Sequence, residues 1–459
     1  VEQYENKKVL IVGIGKTGFA LINFFNTMKC EIKVTDHKPI FDLNKAIKKL
    51  KKLRPTPEMT FGEHRDEDFL EADLIVYSSS VDSNLPQLEL ARSYGKEVYG
   101  QFAFAAKLCK RPIVAVCGSY GRTTITNMIG FTLKNEGKSI FVGGASDNPF
   151  INFYSLHPTQ DVDYVIVELN HLDLHSQNDF KPHVVVFSNI RETQPSKKFR
   201  TLQDFYDVKF LPLKNLDESC YLISNFDTLY QFPQLKTSKA KTFWYSRKSF
   251  ISIGISDQVQ GTQFHDKRIH SDIHCHSEFI VSSMRIVGER NRENLLAAIT
   301  VCKALKISDA SIQNTIEKFP GIPHRIEFVM ERNGVRFYND SKSETMQELS
   351  ATLNSFKDPV ILIAGGKDTE IPYEDYFDLI ESKVRVLVLV GEAKERMNRS
   401  LGDACQTFLV GSFEESILIA YQKSRTGDTI LLSPGNSSSD IFRDYEERGN
   451  YFKKLVYQL

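Results

Sequence analysis

The stretch VAVCGSYGRTTITNMI, Val114 to Ile129, runs from an apolar segment through a glycine turn into a helix-like pattern. A strand that ends in Gly118-Ser119-Tyr120-Gly121 and continues into Thr123-Thr124 brings backbone N–H groups and a helix N-terminus around one point, an arrangement that holds phosphate. A hydroxyl directly after the cation position suits Mg²⁺. The cation departs from the usual pattern, because a nucleotide-binding loop wants lysine where this chain has Arg122. A guanidinium clamps phosphate oxygens bidentately, yet it is planar and longer than an ammonium and cannot act as a compact point charge. On this stretch alone, a ligand-free strand-to-helix turn stays open as the plainer reading.

Working outward, the first hundred residues alternate short β-rich runs with helical patterns. KVLIVGIG reads as a buried strand, TGFALINFFNTM as an amphipathic helix, EIKVTDH as a second strand and ADLIVYSSS as a third. Downstream, SIFVGG, DYVIVELN and HVVVFSNI read as strands, and NRENLLAAITVCKAL has apolar residues at helical spacing. Between them lies a less regular, histidine-containing β-rich stretch from Trp244 to Val287. Beyond FPGIPHR the alternation resumes with VRFYND, PVILIAGG, VRVLVLVG and DTILLSPG. Alternation of this kind predicts parallel sheets covered by helices. The basic connector at Lys110-Arg111-Pro112 and the Pro/Gly linker near residue 321 divide the chain into 1–110, 111–321 and 322–459. The expected class is α/β in three domains: a Rossmann-like N-terminal domain, a central P-loop-type ATPase domain and a C-terminal Rossmann-like domain.

The 459 residues are too many for one core, and 58 basic residues cancel 58 acidic ones. That balance gives no reason to expect a nucleic-acid or membrane partner. Seven cysteines without a C-x-x-C pair read as reduced thiols. The apolar run in VEQYENKKVLIVGIG is too short for a signal peptide, and no run approaches a membrane span. A cytoplasmic monomer acting on small molecules is expected.

Three further places carry chemistry. Glu168 ends the strand DYVIVELN at the sheet edge where open α/β sheets collect ligands, and a carboxylate there suits Mg²⁺. Gly13, Gly15 and Gly18 fit G-x-G-x-x-G, with Asp36 ending the next strand, which points to a nucleotide without distinguishing which. His270, His274, Cys275 and His276 crowd RIHSDIHCHSEF; His274 and His276 would share a strand face, and adventitious crowding is favoured over a metal site.

In the order of these motifs the chain resembles the muramyl peptide ligases, over nearly its whole length and most closely in their D-glutamate-adding branch. The C-terminal LLSPGNSSSDIFRDYEERGNYF carries the resemblance furthest, through Ser438, Asp440, Phe442 and Glu447 to Gly449. PHRIEFVMERNGVRFYNDSKSE matches through His324, Arg325, Asp340, Ser341 and Lys342, and GERNRENLLAA through Asn291 and Asn294. GIGKTG and VTDHK resemble the uridine-nucleotide domain of that branch.

The resemblance implies an ATP-dependent amide ligase of peptidoglycan synthesis. The carboxylate of UDP-N-acetylmuramoyl-L-alanine takes the γ-phosphate of ATP, and D-glutamate attacks the acyl phosphate. Three anionic ligands must be held together, which calls for Mg²⁺ and fixed cations, with domain closure to exclude water. It implies that Gly118, Ser119, Tyr120, Gly121, Arg122, Thr123 and Thr124 hold the ATP phosphates, with Thr123 and Glu168 on Mg²⁺. Asn291, Asn294, Arg325 and Asp340 should meet ATP. Lys342, Ser438 and Tyr445 should meet D-glutamate, and Thr17, Asp36 and His37 the uridine nucleotide. Lys209 falls where the family carries a lysine carbamate, an anion that would join the metal ligands; an ordinary surface lysine is the alternative.

Four places depart from the family pattern. Arg122 replaces lysine; Gln194 stands where the family has a histidine near a second metal. Lys367-Asp368-Thr369 displaces a lysine expected after IAGG, and Ser78-Ser79-Ser80 lacks the Pro and Gly of an SPG turn. Two rivals therefore stay open: a non-catalytic nucleotide-binding relative, and an amide ligase with another acceptor. A dehydrogenase built on the N-terminal glycines leaves two domains unexplained.

Overall fold

The computed structural model of the chain describes residues 2–145, 148–170, 180–190, 201–250, 259–282, 284–368 and 371–459. The near-continuous apolar runs become strands covered on both faces, as parallel sheets require. Val184, Val185, Val186 and Phe187 have no exposed surface, and burying such a side chain stabilises by about 2 kcal/mol.

Three sheets follow in chain order. The first holds β1 (Lys8–Val12), β2 (Glu31–Asp36), β3 (Glu58–Phe61), β4 (Leu74–Tyr77) and β5 (Glu97–Gly100), all parallel, in the order β3-β2-β1-β4-β5. The second holds β6 (Ile113–Cys117), β7 (Ile140–Gly143), β8 (Tyr164–Glu168), β9 (Val184–Phe187), β10 (Tyr221–Asn225), β11 (Lys241–Ser246), β12 (Gly261–His265), β13 (Arg268–Ser271) and β14 (Ser277–Ile280). Its order is β14-β13-β12-β11-β10-β9-β6-β8-β7. The third holds β15 (Glu327–Arg332), β16 (Val335–Asn339), β17 (Val360–Gly365), β18 (Val384–Val390), β19 (Gln406–Leu409) and β20 (Thr429–Gly435), ordered β15-β16-β20-β17-β18-β19.

Each sheet reverses its strand order beside one strand, and ligands of open α/β sheets collect outside the carboxyl ends there. In the first sheet the reversal lies between β1 and β4, and in the second at β6, flanked by β8 and β9. In the third, β20 inserts between β16 and β17.

The chain packs as two compact units, one of Val1–Phe279 with Asn294–Gln313 and the other of Ile280–Glu293 with Asn314–Leu459. Inside the first unit, the first two sheets share one core. Phe24 meets Tyr154 at a ring separation of 5.6 Å, and the Tyr154 hydroxyl donates to the Ala105 carbonyl at 2.5 Å. All seven cysteines are free, and among the described residues no helix is long and apolar enough to cross a membrane.

Two sequence expectations need correction. ADLIVYSSS forms the fourth strand, because EMTF also pairs, as the short edge strand β3. His274 does not share a strand face with His276: it lies between β13 and β14 at φ +63°, with Nε2 turned to the Ala304 carbonyl at 3.4 Å.

Candidate active site

The quoted stretch forms β6, a turn, and the helix Arg122–Asn135. Gly121 caps that helix at φ +83°, a left-handed conformation that glycine adopts without strain, and a Cβ there would lie 2.3 Å from Asn294 Oδ1. Among the described residues no side chain caps the helix, so there the first-turn N–H groups of Arg122, Thr123 and Thr124 lack the partners an interior residue would have. Those groups and the helix dipole favour an anion.

Asn189, just beyond β9, is a residue the sequence reading missed. Its Oδ1 accepts from Ser119 N at 3.2 Å and Tyr120 N at 3.1 Å, while its Nδ2 donates to the Tyr120 carbonyl at 2.9 Å. Two loop amides expected to face phosphate thus donate to the buried Asn189 side chain instead. The only sequence signal was the polar pair Ser188-Asn189 ending an apolar strand.

Register brings the charged groups together. Val116 of β6 pairs with Glu168 of β8, and Cys117 pairs with Phe187 of β9. The Thr123 hydroxyl donates to Glu168 Oε2 at 2.6 Å, and Arg122 Nε lies 3.7 Å from Glu168 Oε1. The Arg122 guanidinium also donates to the Gly118 carbonyl, yet its buried Nε has no hydrogen-bond partner among the described residues. An orphaned cationic N–H beside an uncapped helix start fits a phosphate oxygen, and an adjoining hydroxyl and carboxylate fit Mg²⁺.

Lys209 lies in the helix Leu202–Phe210, whose start is fixed by a Thr201–Asp204 capping box. It is no surface lysine: 5% of it is exposed, with Nζ 5.3 Å from the Phe205 ring centre. Burial, helped by the Arg122 charge, lowers its pKa to about 8, whereas burial pushes the neighbouring Cys117 thiol up to about 12. Gln194 and Thr369 lie outside the described residues.

In the first sheet, Gly18 packs so closely on the first turn that a Cβ would lie 2.2 Å from the Gly13 carbonyl oxygen. Asp36 is nearly buried, and both its oxygens accept backbone N–H groups, from Ile14 at 3.1 Å and Lys38 at 3.0 Å. Through these bonds it anchors the glycine loop. His37 is exposed beside it, Thr17 is half-buried at the start of the helix Lys16–Thr27, and Ser78 and Ser80 bond to each other at 3.1 Å.

The second unit gathers its polar residues at the ends of β16 and β20. Lys342 Nζ lies 5.2 Å from the Tyr445 ring centre. Ser438 is buried, and its N–H and hydroxyl both donate to Glu344 Oε1, at 3.0 and 3.2 Å. The buried Arg448 guanidinium lies 3.7 Å from that same oxygen and donates to Ser341 Oγ at 3.0 Å. A carboxylate of the chain, Glu344, therefore sits on the Ser438 donors beside Arg448, a feature the sequence reading missed. Lys367 is turned outward to Glu392 at 2.6 Å.

Asp340 does not fit direct contact with ATP. It is 3% exposed, and its carboxylate accepts from Ile326 N at 3.0 Å, the Thr352 hydroxyl at 2.7 Å and the Ser433 hydroxyl at 2.9 Å. Burial raises its pKa to about 6 against those hydrogen bonds. Through Ile326 it fixes the peptide that follows the exposed Arg325. Asn291 Nδ2 donates to the Val287 carbonyl at 2.8 Å, while Asn294 is buried over Gly121.

Comparison with known proteins decides what this arrangement belongs to. Family profiles match for the Mur ligase MurD-like N-terminal domain over residues 7–100, the Mur ligase middle domain over 116–302, and the Mur ligase glutamate ligase domain over 324–436. A UDP-N-acetylmuramoylalanine–D-glutamate ligase of Bdellovibrio bacteriovorus is 37% identical over 458 residues, covering 98% of this chain and 97% of its own. The chain belongs to the Mur ligase family. A second relative of the same name, from Geotalea uraniireducens, is 33% identical over 99% of this Mur ligase and 98% of itself. The fold agrees with the crystal structure of the UDP-N-acetylmuramate–alanine ligase MurC from Thermotoga maritima, at a TM-score of 0.54 and 16% identity, covering 99% of this chain and 100% of that one. Mur ligases are ATP-dependent, ADP-forming peptide synthases, and this chain is a ligase of that family.

Proposed function

We propose that this Mur ligase joins D-glutamate to UDP-N-acetylmuramoyl-L-alanine at the expense of ATP, through an acyl phosphate. The observation that carries the reading is the cluster at the ends of β6 and β8: an uncapped helix start, Arg122, Thr123 and Glu168, with the buried Lys209 electrostatically coupled to it. The alanyl carboxylate oxygen attacks the γ-phosphorus and ADP leaves. The D-glutamate amine then attacks the acyl carbon, loses a proton, and phosphate departs with the former carboxylate oxygen.

In this reading the loop from Gly118 to Thr124 holds the ATP phosphates, chiefly through the first-turn N–H groups, and Arg122 exchanges the Gly118 carbonyl and Glu168 for phosphate oxygens. Thr123 and Glu168, joined by Lys209 when carbamylated, would hold Mg²⁺, whose charge offsets that of the transferring phosphoryl group. A pKa near 8 leaves part of the Lys209 amine neutral, the form that adds CO₂, and the Arg122 charge favours the resulting anion. Asn291, Asn294 and Arg325 complete the ATP contacts, with Asp340 as a positioning residue. Thr17 and His37 meet the uridine nucleotide on a loop that Asp36 anchors. Lys342, Ser438 and Tyr445 receive D-glutamate, one of whose carboxylates displaces Glu344 from Ser438.

The functional division falls at 1–110, 111–321 and 322–459, and the protein works as a cytoplasmic monomer, in keeping with its free thiols. An oxygen-18 label in the alanyl carboxylate tests the chemistry. One labelled oxygen should appear in the released phosphate. Product with unlabelled phosphate refutes the acyl phosphate, and no phosphate release refutes the ligase reading.

A further inference from the structure

The geometry points to a second metal site, for a zinc-like divalent cation, built from His270, His276 and Glu278 on the outer part of the nine-stranded sheet. It is independent of the ligase chemistry. Strands β12 and β13 form a hairpin through Asp266 and Lys267, which turn at φ +48° and +62°, with Gln263 paired to His270. Ile269 and Ser271 are buried, which leaves Arg268 and His270 on the other face of β13. On β14, Ser277 and Phe279 are buried and Glu278 is exposed, and His276 immediately precedes that strand.

One ligand atom from each of the three residues lies within 4.8 Å of the others. Glu278 Oε1 is 3.5 Å from His270 Nδ1 and 3.4 Å from His276 Nε2. The His276–Glu278 contact is a long hydrogen bond, and both separations lie beyond the usual range for such groups. They match two ligands of one tetrahedral ion, which at bond lengths of about 2.0–2.1 Å stand about 3.3–3.4 Å apart.

The atoms that would not touch the ion are also held. His276 Nδ1 faces Asp272 Oδ1 at 2.9 Å, and His270 Nε2 faces the His265 carbonyl at 3.3 Å. Glu278 Oε2 accepts from Arg268 at 3.1 Å. A carboxylate or carbonyl on the far nitrogen fixes the tautomer that turns the other nitrogen's lone pair to a metal, as in metal-binding histidines generally. Two imidazoles and one carboxylate select a borderline d-block ion over Mg²⁺ or Ca²⁺, with a water as fourth ligand. Such an ion would tie β14 to β13 at an exposed sheet edge.

The test uses the untagged full chain after dialysis against EDTA, titrated with Co²⁺ and then Zn²⁺. One Co²⁺ per chain should bind with the intense visible bands of a four-coordinate site, and Zn²⁺ should displace it. His270→Ala and His276→Ala should each weaken binding by at least about tenfold, and Asp272→Asn by about tenfold. Zn²⁺ should raise the thermal midpoint of the wild type and leave that of His276→Ala unmoved. His276 is largely exposed, so its loss leaves the packing intact. Absence of the four-coordinate bands, or Co²⁺ binding unchanged in both His270→Ala and Glu278→Gln, overturns the site and leaves a hairpin ion-pair cluster.

Discussion

Lys209 offers the sharpest quantitative test. With its pKa lowered to about 8 from the usual 10.5, about a quarter of the amine is neutral at pH 7.5, against about 0.1% for an exposed lysine. The fold therefore raises the CO₂-reactive form roughly 200-fold. Burial alone would also disfavour the carbamate anion, so the Arg122 cation and a bound Mg²⁺ must offset that cost. Lys209→Ala removes the anion and should lower kcat by about 10²–10³-fold, the usual cost of deleting a group that stabilises transition-state charge. Formate or acetate, small enough to enter the vacated space, should restore part of that loss. Wild-type turnover in CO₂-stripped buffer should fall and return with bicarbonate. On lowering the pH from 8 to 6, the neutral fraction drops to about 1%, so carbamate formation should slow in step. The assay is ADP release at saturating substrates, each variant measured with and without carboxylic acid. Full activity in Lys209→Ala, or a loss that responds to neither acid nor bicarbonate, refutes the reasoning.

Arg122→Ala should abolish turnover while ATP binding stays measurable, and Arg122→Lys should keep or raise kcat; an active alanine variant removes Arg122 from the phosphate site. Glu344→Gln weakens the contact with Ser438 from a charged to a neutral hydrogen bond, worth about 1.4 kcal/mol, so the KM for D-glutamate should fall about tenfold with kcat held. An unchanged or raised KM makes Glu344 a support for the cradle and not a competitor. Asp340 is held near 6, above its unfolded value of 3.8, so the folded chain binds that proton more tightly. Its contribution to stability is greatest below about pH 4 and is lost as pH rises through about 6; the stability difference between wild type and Asp340→Asn should therefore move by about 3 kcal/mol across that window. A difference that is flat with pH contradicts the burial account.

The sequence made the central loop and its flanking strands legible because β6, β8 and β9 are buried on both faces and read as unbroken apolar runs. Strands β3 and β5 were missed: four residues each, partly exposed, they carry too little alternation to stand out. Glu168 was placed correctly because a carboxylate ending a buried strand must lie at the sheet's carboxyl edge. Asn189 was not, since its role depends on β9 lying beside β6, a contact between residues far apart in the chain. Asp340 shows a different gap. Its motif located it, but a charged residue at a strand end reads as exposed, and only three donors converging from Ile326, Thr352 and Ser433 reveal a buried brace. Glu344 at Ser438 was equally hidden, because nothing in SKSE says where that side chain turns.

The central claim is tested most directly by mass spectrometry of the products formed from UDP-N-acetylmuramoyl-L-alanine, ATP and Mg²⁺ with either D- or L-glutamate. The account predicts a nucleotide product heavier by one glutamate residue, formed with the D isomer alone and accompanied by ADP. No product from D-glutamate, with ATP binding intact, contradicts it and leaves either a nucleotide-binding relative without turnover or a ligase for another acceptor.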